Sequence, residues 1–505
     1  MTFATSGFLW LLPAAAAAAA VAALAVTPGG ADGAEPRRPG RVLAAFGILL
    51  PALALLSVLQ LDNALGLDTD DAPITFRYAE NLASGRGFVY NTGERVLGTS
   101  APLYTMALAG LRVAGLPVEI SATVIGVLAA AAVMALLVRF GALVAGPGGG
   151  LLAAALAATE APFLVYATQG METPAYTAIV LGALMSHVSG RERLASVLSA
   201  LCVVMRLDGI IVPVAILASM LLQRRLPSRA ASLLFLIVAA PWFLFSAVYF
   251  GHLAPQSLLA KIVHTKHAGR LWMLRGLLLE GNLLLVPFGI LGAMRCCSGP
   301  AGARRAVVPI WLALYAAAFT IAPIDAYPWY RIPPVPVLAL LSAAGIGWTS
   351  SAWLATWTGS RKRIALVVLL LAIAPWGVAR YRVYRDSLAQ YAEQLRVWET
   401  PRVATAEWLR DHAPAHSSVC TSAIGHIGWI TGLRVLDTSG LVSPGLLRGF
   451  DLDRIRPDFI VGHDGDPRPG DVFRVEHPEY TLVKSLAVER EVVYRIYARN
   501  DIALR

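Results

Sequence analysis

The sequence predicts a polytopic α-helical membrane protein, with about 10 to 12 membrane helices and a small C-terminal extracytoplasmic α/β domain. Three observations carry this expectation. Of 505 residues, 57% are hydrophobic and only 15% charged, and the mean hydropathy is +0.62. About ten apolar runs of roughly 15 to 25 residues recur along the chain, long enough for a hydrocarbon core of roughly 30 Å. Near Tyr381 the apolar runs stop and charged and turn-forming residues become frequent. The expected division is 1–380 for the membrane module, including a long outer loop over 62–118, and 381–505 for the terminal domain.

Basic clusters set the topology, because Lys and Arg flank membrane spans on the cytoplasmic side. Met1 to Val26 lacks a basic residue ahead of its apolar core, so it reads as an uncleaved first span rather than a signal peptide. Arg37, Arg38 and Arg41 precede the span Val42 to Leu61 and put the segment after it outside. Pro102 to Leu116 is too short and interrupted for a span and fits a helix on the outer interface. Spans follow at Ile120 to Val138, Leu151 to Thr168 and Tyr176 to Val188. Leu194 to Leu222 lies between basic clusters and breaks the alternation. It is either two half-length helices joined at Arg206–Leu207–Asp208–Gly209 or one long tilted span with a buried Arg–Asp pair. Ala230 to Phe250, Leu274 to Met294, Val307 to Ala322, Pro334 to Trp348 and Ile364 to Ala379 complete the set. In the tail, Val403 to His412 predicts an amphipathic helix ended by Ala413–Pro414. Strand-like runs lie at Val419–Cys420, Phe459–Ile460–Val461 and Val492 to Tyr497.

The net charge of +10 does not imply nucleic acid, because the basic residues sit in short clusters between apolar runs. The cysteines Cys202, Cys296, Cys297 and Cys420 have no metal-ligand spacing. No Walker loop or dinucleotide glycine motif is present, so soluble nucleotide chemistry is unsupported.

The most informative polar feature is Asp70–Asp71, just past an apolar span and followed by Ala72–Pro73–Ile74–Thr75–Phe76–Arg77–Tyr78. Ionisable groups at the edge of a membrane bundle are costly unless solvated, paired or used. The loop continues through Ala79–Glu80–Asn81–Leu82–Ala83–Ser84–Gly85–Arg86–Gly87–Phe88 to Ser100–Ala101–Pro102–Leu103. It resembles the first outer loop of bacterial GT-C glycosyltransferases, in particular relatives of the mycobacterial terminal arabinofuranosyltransferase. Pro73 stands where those proteins usually carry an aromatic residue. Weaker similarity extends to Gly170–Met171–Glu172–Thr173, Arg206–Leu207–Asp208–Gly209, Tyr249 to Lys261, and Ser422 to Trp429 with Leu436 to Leu441.

The resemblance implies a GT-C type membrane enzyme using a polyprenyl-phosphate sugar donor, with arabinofuranosyl transfer as one form. The acceptor would be a glycan or another cell-envelope molecule, and the site would face outward from the cytoplasmic (inner) membrane. Such chemistry needs a carboxylate near the acceptor hydroxyl and cations near the leaving phosphate. Asp70 is the expected base, with Asp71 orienting it or the acceptor; the pair can also share a divalent cation. No other cofactor or metal is implied. Lys261, His264, Lys266 and Arg331 are the expected phosphate ligands, and Arg77, Tyr78 and Glu172 the expected substrate contacts. Plainer readings exist for each: a helix cap for the aspartates, headgroup contacts for the basic loop, an interfacial anchor for Arg331. Glu172 could simply favour a helix start, and Arg206–Asp208 reads as a structural pair. His426 and Asp437 read as tail structure or acceptor contacts. Two other classes compete: a secondary transporter, which should show internal repeats and midplane charges, and a non-catalytic glycan-binding scaffold, which would not need both aspartates.

Overall fold

Long apolar stretches can satisfy their backbone amides in a membrane only by coiling into helices, and the regular elements described ahead of the terminal sheet are accordingly all helices. The computed structural model describes residues 69–264, 271–278, 285–322, 327–356, 358, 364, 382–383, 385–449, 451–463, 475–488 and 492–505. The expected spans Met1 to Val26 and Val42 to Leu61, and nearly all of Ile364 to Ala379, lie outside the described residues.

Two short helices come first, α1 (Asp71–Ala83) and α2 (Pro102–Val113). They are followed by α3 (Val118–Ala145), α4 (Pro147–Ala158), α5 (Ala161–Tyr166) and α6 (Thr173–Val188). The expected continuous span Leu151 to Thr168 is thus broken. Glu160 is extended (φ −89°, ψ 98°), and Pro162 has no amide hydrogen with which to continue the ladder.

The stretch after α6 resolves the alternative left open by the sequence. Helices α7 (Glu192–Met205) and α8 (Ile211–Leu222) are separated by extended Arg206 and a 3-10 turn, Leu207–Ile210. Arg225 beyond α8 pairs with Glu192 at the start of α7 at 3.1 Å, so the two helices fold back as a hairpin. Ser219 near the end of α8 donates to the carbonyl of Ala303 at 2.8 Å. The basic clusters around Arg191, Arg225 and Arg304 therefore gather at one end of the bundle.

The remaining helices are α9 (Arg229–Phe250), α10 (Gln256–His264), α11 (Trp272–Leu278), α12 (Val286–Cys296), α13 (Gly302–Arg305), α14 (Val307–Ile321) and α15 (Pro334–Ala355), with a 3-10 turn at Pro328–Arg331. Among the described residues, Val118–Ala145, Arg229–Phe250, Gly302–Ile321 and Pro328–Trp353 are long and apolar enough to cross a membrane. Helices α12 and α15 pack closely because a Cβ on Gly292 would strike the Leu341 carbonyl and one on Gly345 that of Phe288. Small residues at a crossing let backbones approach in this way.

After a helical stretch over 385–394, a π-helical turn (Leu395–Glu399) leads into α16 (Thr400–His412), which ends before Pro414 as expected. Strands β1 (Ser418–Thr421), β2 (Arg434–Asp437), β3 (Phe459–His463), β4 (Tyr480–Val488) and β5 (Val492–Arg499) form one sheet in the order β2-β1-β3-β5-β4. β1 pairs parallel with β2 and β3, whereas β5 pairs antiparallel with β3 and β4. The parallel β1–β2 connection needs a crossover, supplied by α17 (Ile424–Thr431). A short α18 (Leu452–Ile455) precedes β3.

The sheet domain is seated on the segment that follows Asp70. Arg77 is buried and donates to the carbonyls of Tyr90 (2.8 Å), Gly428 (2.7 Å) and Leu433 (2.7 Å). Asn91 exchanges two hydrogen bonds with the backbone of Val435, at 2.8 and 3.0 Å. Tyr90 donates its hydroxyl to the Ile424 carbonyl at 2.5 Å. A Cβ on Gly425 would collide with the Asp70 carbonyl, and one on Gly428 with the Tyr90 hydroxyl. Gly428→Ala should therefore lower the unfolding temperature in detergent, at a cost of about 1–3 kcal/mol from overpacking. Gly445→Ala, where the added methyl meets nothing within 4 Å, should leave it unchanged.

Candidate active site

Successive residues on a helix are turned by about 100°, and the start of α1 uses this to separate the two aspartates. Asp70 occupies the N-cap position of α1, yet its side chain makes no capping bond there. Its Oδ1 instead accepts the amide of His426 at 2.8 Å and its Oδ2 that of Gly425 at 3.3 Å. These are orphan amides in the first turn of α17, whose own N-cap, Ala423, has no side chain able to accept them. Asp70 thus caps a helix that lies more than 350 residues further along the chain. Burial by itself raises the Asp70 pKa, but Arg402, His426 and the two amides outweigh it and hold the carboxyl below the ordinary value.

Asp71 turns the other way and lines a cavity of about 290 Å³. The cavity is walled by α1, the Gly98–Ser100 loop, the start of α6, the hairpin turn, α10, the end of α14 and the 3-10 turn at Trp329 and Tyr330. Leu441 from the sheet domain closes one side. It is held there by the loop around Asp437, whose carboxylate accepts the amides of Ser439 (2.8 Å) and Val442 (3.0 Å). Burial pushes the Asp437 carboxyl up to about 6 against the pull of these amides.

The polar wall of the cavity is a buried network. Arg206 donates to Glu172 at 3.0 Å and to Asp208 at 2.9 Å. Its guanidinium lies 5.0 Å from the ring centres of both Tyr176 and Tyr330. Lys261 donates to the hydroxyl of the same Tyr330 at 3.0 Å and lies 5.0 Å over the Tyr327 ring. Burial lowers the Lys261 pKa, but Tyr330, Asp71 and Tyr327 together raise it, so the ammonium stays charged at neutral pH.

The structure thus brings Asp71, Glu172 and Lys261 together on one cavity, and carries other candidates elsewhere. Arg77 and Tyr78 belong to the seam with the sheet domain: the Arg77 guanidinium is spent on backbone carbonyls, and the buried Tyr78 hydroxyl bonds Val96 and Gly98 at 2.6 and 2.8 Å. Arg331 stacks over Trp272 at 5.3 Å, off the cavity lining. Lys266 and the side chain of His264 lie outside the described residues. Among the described residues, ligand-type side chains of Asp70, Glu399 and His426 cluster together, whereas Asp71 lines the cavity. Sequence reasoning took Arg206 and Asp208 as a structural pair and missed their place in the cavity wall. The signal was there, as two charges inside an apolar hairpin.

Compared with solved structures, the chain is similar to ArnT from Cupriavidus metallidurans. With the apo form the TM-score is 0.59 at 15% identity, covering 90% of this chain and 98% of that one. With the form bound to undecaprenyl phosphate it is 0.57 at 14% identity, covering 91% and 98%. The apo Archaeoglobus fulgidus oligosaccharyltransferase matches with a TM-score of 0.51 at 12% identity, covering 83% of this chain and 69% of that one. The chain has the GT-C fold. A family profile described as a domain of unknown function (DUF8728) matches residues 383–503 of this GT-C chain. Among curated proteins no sequence matches it.

Asp70→Asn keeps the size of the side chain but removes its charge, and should cost about 1.5–3 kcal/mol, the range for hydrogen bonds to a charged group. The folded Asp70 pKa lies below the ordinary 3.8. Its stabilising contribution is therefore complete above that value and is lost only as pH falls through the lower folded value. The gap in unfolding temperature between wild type and Asp70→Asn should be constant from about pH 8 to pH 5 and close on further acidification.

Proposed function

We propose that the protein is a membrane glycosyltransferase that moves a sugar from a polyprenyl-phosphate donor to a hydroxyl of a cell-envelope glycan. The reaction takes place at the extracytoplasmic face of the cytoplasmic membrane, with the sheet domain on that side. One observation carries this reading: a carboxylate, an ammonium and a tyrosine hydroxyl line one cavity, in the fold of a protein crystallised with undecaprenyl phosphate. The basic clusters gathered at the opposite end of the bundle support the orientation.

In this proposal Asp71, not Asp70, is the base. Asp71 faces the cavity, whereas both oxygens of Asp70 are engaged by α17 amides. The Asp71 carboxylate takes the proton of the acceptor hydroxyl as its oxygen bonds to the anomeric carbon. The bond from that carbon to the phosphate oxygen breaks, and polyprenyl phosphate leaves with the electron pair. Lys261 and Tyr330 hold the negative charge that develops on the leaving group. Glu172 and Asp208 fix Arg206, leaving a rigid group with one net negative charge as a wall for the sugar. The three carboxylates and two cations of the lining leave no excess positive charge, which suits a phosphodiester better than a more highly charged diphosphate. Arabinofuranosyl transfer is the finer reading, supported by the sequence of the loop from Asp70 to Leu103.

Purified protein in lipid nanodiscs should transfer sugar from synthetic short-chain polyprenyl-phosphate donors. Asp71→Asn should lower kcat by roughly 10²–10⁴-fold, the usual worth of a positioned base, while the protein stays folded. Lys261→Gln should raise the donor KM at least about tenfold, and Lys261→Arg should recover part of it. Transfer by Asp71→Asn at the wild-type rate would sink the assignment. A wild-type protein inert with every donor would favour the scaffold reading.

A further inference from the structure

Among the described residues, Glu399 carries a buried carboxylate oxygen with no hydrogen-bond partner. It ends the π-helical turn before α16 and is 2% exposed. Its Oε1 accepts from Arg402 at 2.8 Å, whereas its Oε2 is buried without a hydrogen-bond partner. A buried, unsatisfied carboxylate oxygen is costly unless some ligand completes it.

The groups facing that oxygen are chemically specific. His426 Nε2 lies 3.5 Å from Glu399 Oε2, and ligand-type atoms of Asp70, Glu399 and His426 all fall within 4.8 Å of one another. Two ligands of a tetrahedral ion with bonds of about 2.0–2.2 Å stand roughly 3.3–3.6 Å apart, so the Glu399–His426 spacing matches one edge of such a polyhedron. Each carboxylate oxygen has two lone pairs, so the amide bonds of Asp70 leave it able to bind an ion as well. Arg402 holds Oε1 and so aims Oε2 inward, the orienting role that outer-shell groups play at metal sites.

We propose that Asp70, Glu399 and His426 bind one divalent cation of the zinc class, through a carboxylate oxygen from each acid and the imidazole Nε2 of His426. Two carboxylates and one imidazole favour zinc over calcium or magnesium, which take larger, all-oxygen shells. Water completes the coordination. The ion neutralises the acids against the single charge of Arg402 and ties the start of α1 to α16 and α17. It lies in the seam of the fold, and its existence does not depend on the sugar-transfer reading.

The test uses the full-length protein in detergent, with zinc as the probe. Protein stripped with chelator should bind one zinc per chain by calorimetry, and zinc should raise its unfolding temperature by several degrees. Cobalt in its place should give the intense visible bands of a four-coordinate site. Glu399→Gln keeps the shape and the bond from Arg402, so its stripped form should unfold near the stripped wild type yet lose the zinc response. His426→Gln should lose it as well. No zinc-dependent shift in the wild type, or an undiminished shift in both variants, would overturn the proposal.

Discussion

The arrangement of the site depends on the Asp70 carboxylate held against the first-turn amides of α17. A helix whose N-cap is Ala423 cannot cap itself, and a carboxylate buried beside the bundle needs donors. Each defect is relieved by the other. The bond fixes the position and rotation of the first turn of α1, and because neighbouring helical residues diverge, it also aims Asp71 into the cavity. Gly425 and Gly428 make the contact possible by leaving no side chain between α17 and the loop. Arg77, Tyr90 and Asn91 extend it into a continuous polar seam.

A division of labour follows within one dipeptide. Asp70 sits among amides and cations that hold its carboxyl below the ordinary value. Asp71 faces Lys261 across a cavity where charge can be created and neutralised. The Glu172–Arg206–Asp208 network keeps its part of the cavity wall from rearranging, since removing one member would strand buried charge. The sheet domain is part of the same device: it holds Asp70 through α17 and closes the cavity with Leu441. Movement of that domain would disturb the position of Asp71 and the shape of the cavity together.

Much of the architecture was legible in the sequence because a membrane imposes length and polarity on each helix. Apolar runs located α3, α6, α9 and α14, and Arg206–Gly209 marked the turn between α7 and α8. Pro414 marked the end of α16. The break at Glu160 was missed because hydropathy does not register the backbone effect of Pro162. Short β2 and the mixed β4 lack a clear apolar alternation and were missed too. In the site, the presence of two aspartates was legible and their separate surroundings were not. Which carboxylate faces the cavity is decided by a contact with Gly425 and His426, and no local pattern encodes that contact. Arg77 and Tyr78 belong to the same seam, so motif similarity in the loop reflects architecture as well as chemistry.

The central claim is that the cavity beside Asp71 holds a lipid-linked sugar phosphate against Lys261 and Tyr330. A cryo-electron microscopy structure with a non-transferable polyprenyl-phosphonate sugar tests it most directly. Phosphonate oxygens are expected within hydrogen-bond distance of Lys261 Nζ and the Tyr330 hydroxyl, with Asp71 beside the open face of the anomeric carbon. An analogue bound elsewhere, or one whose sugar meets Asp70 while Asp71 stays remote, would contradict it.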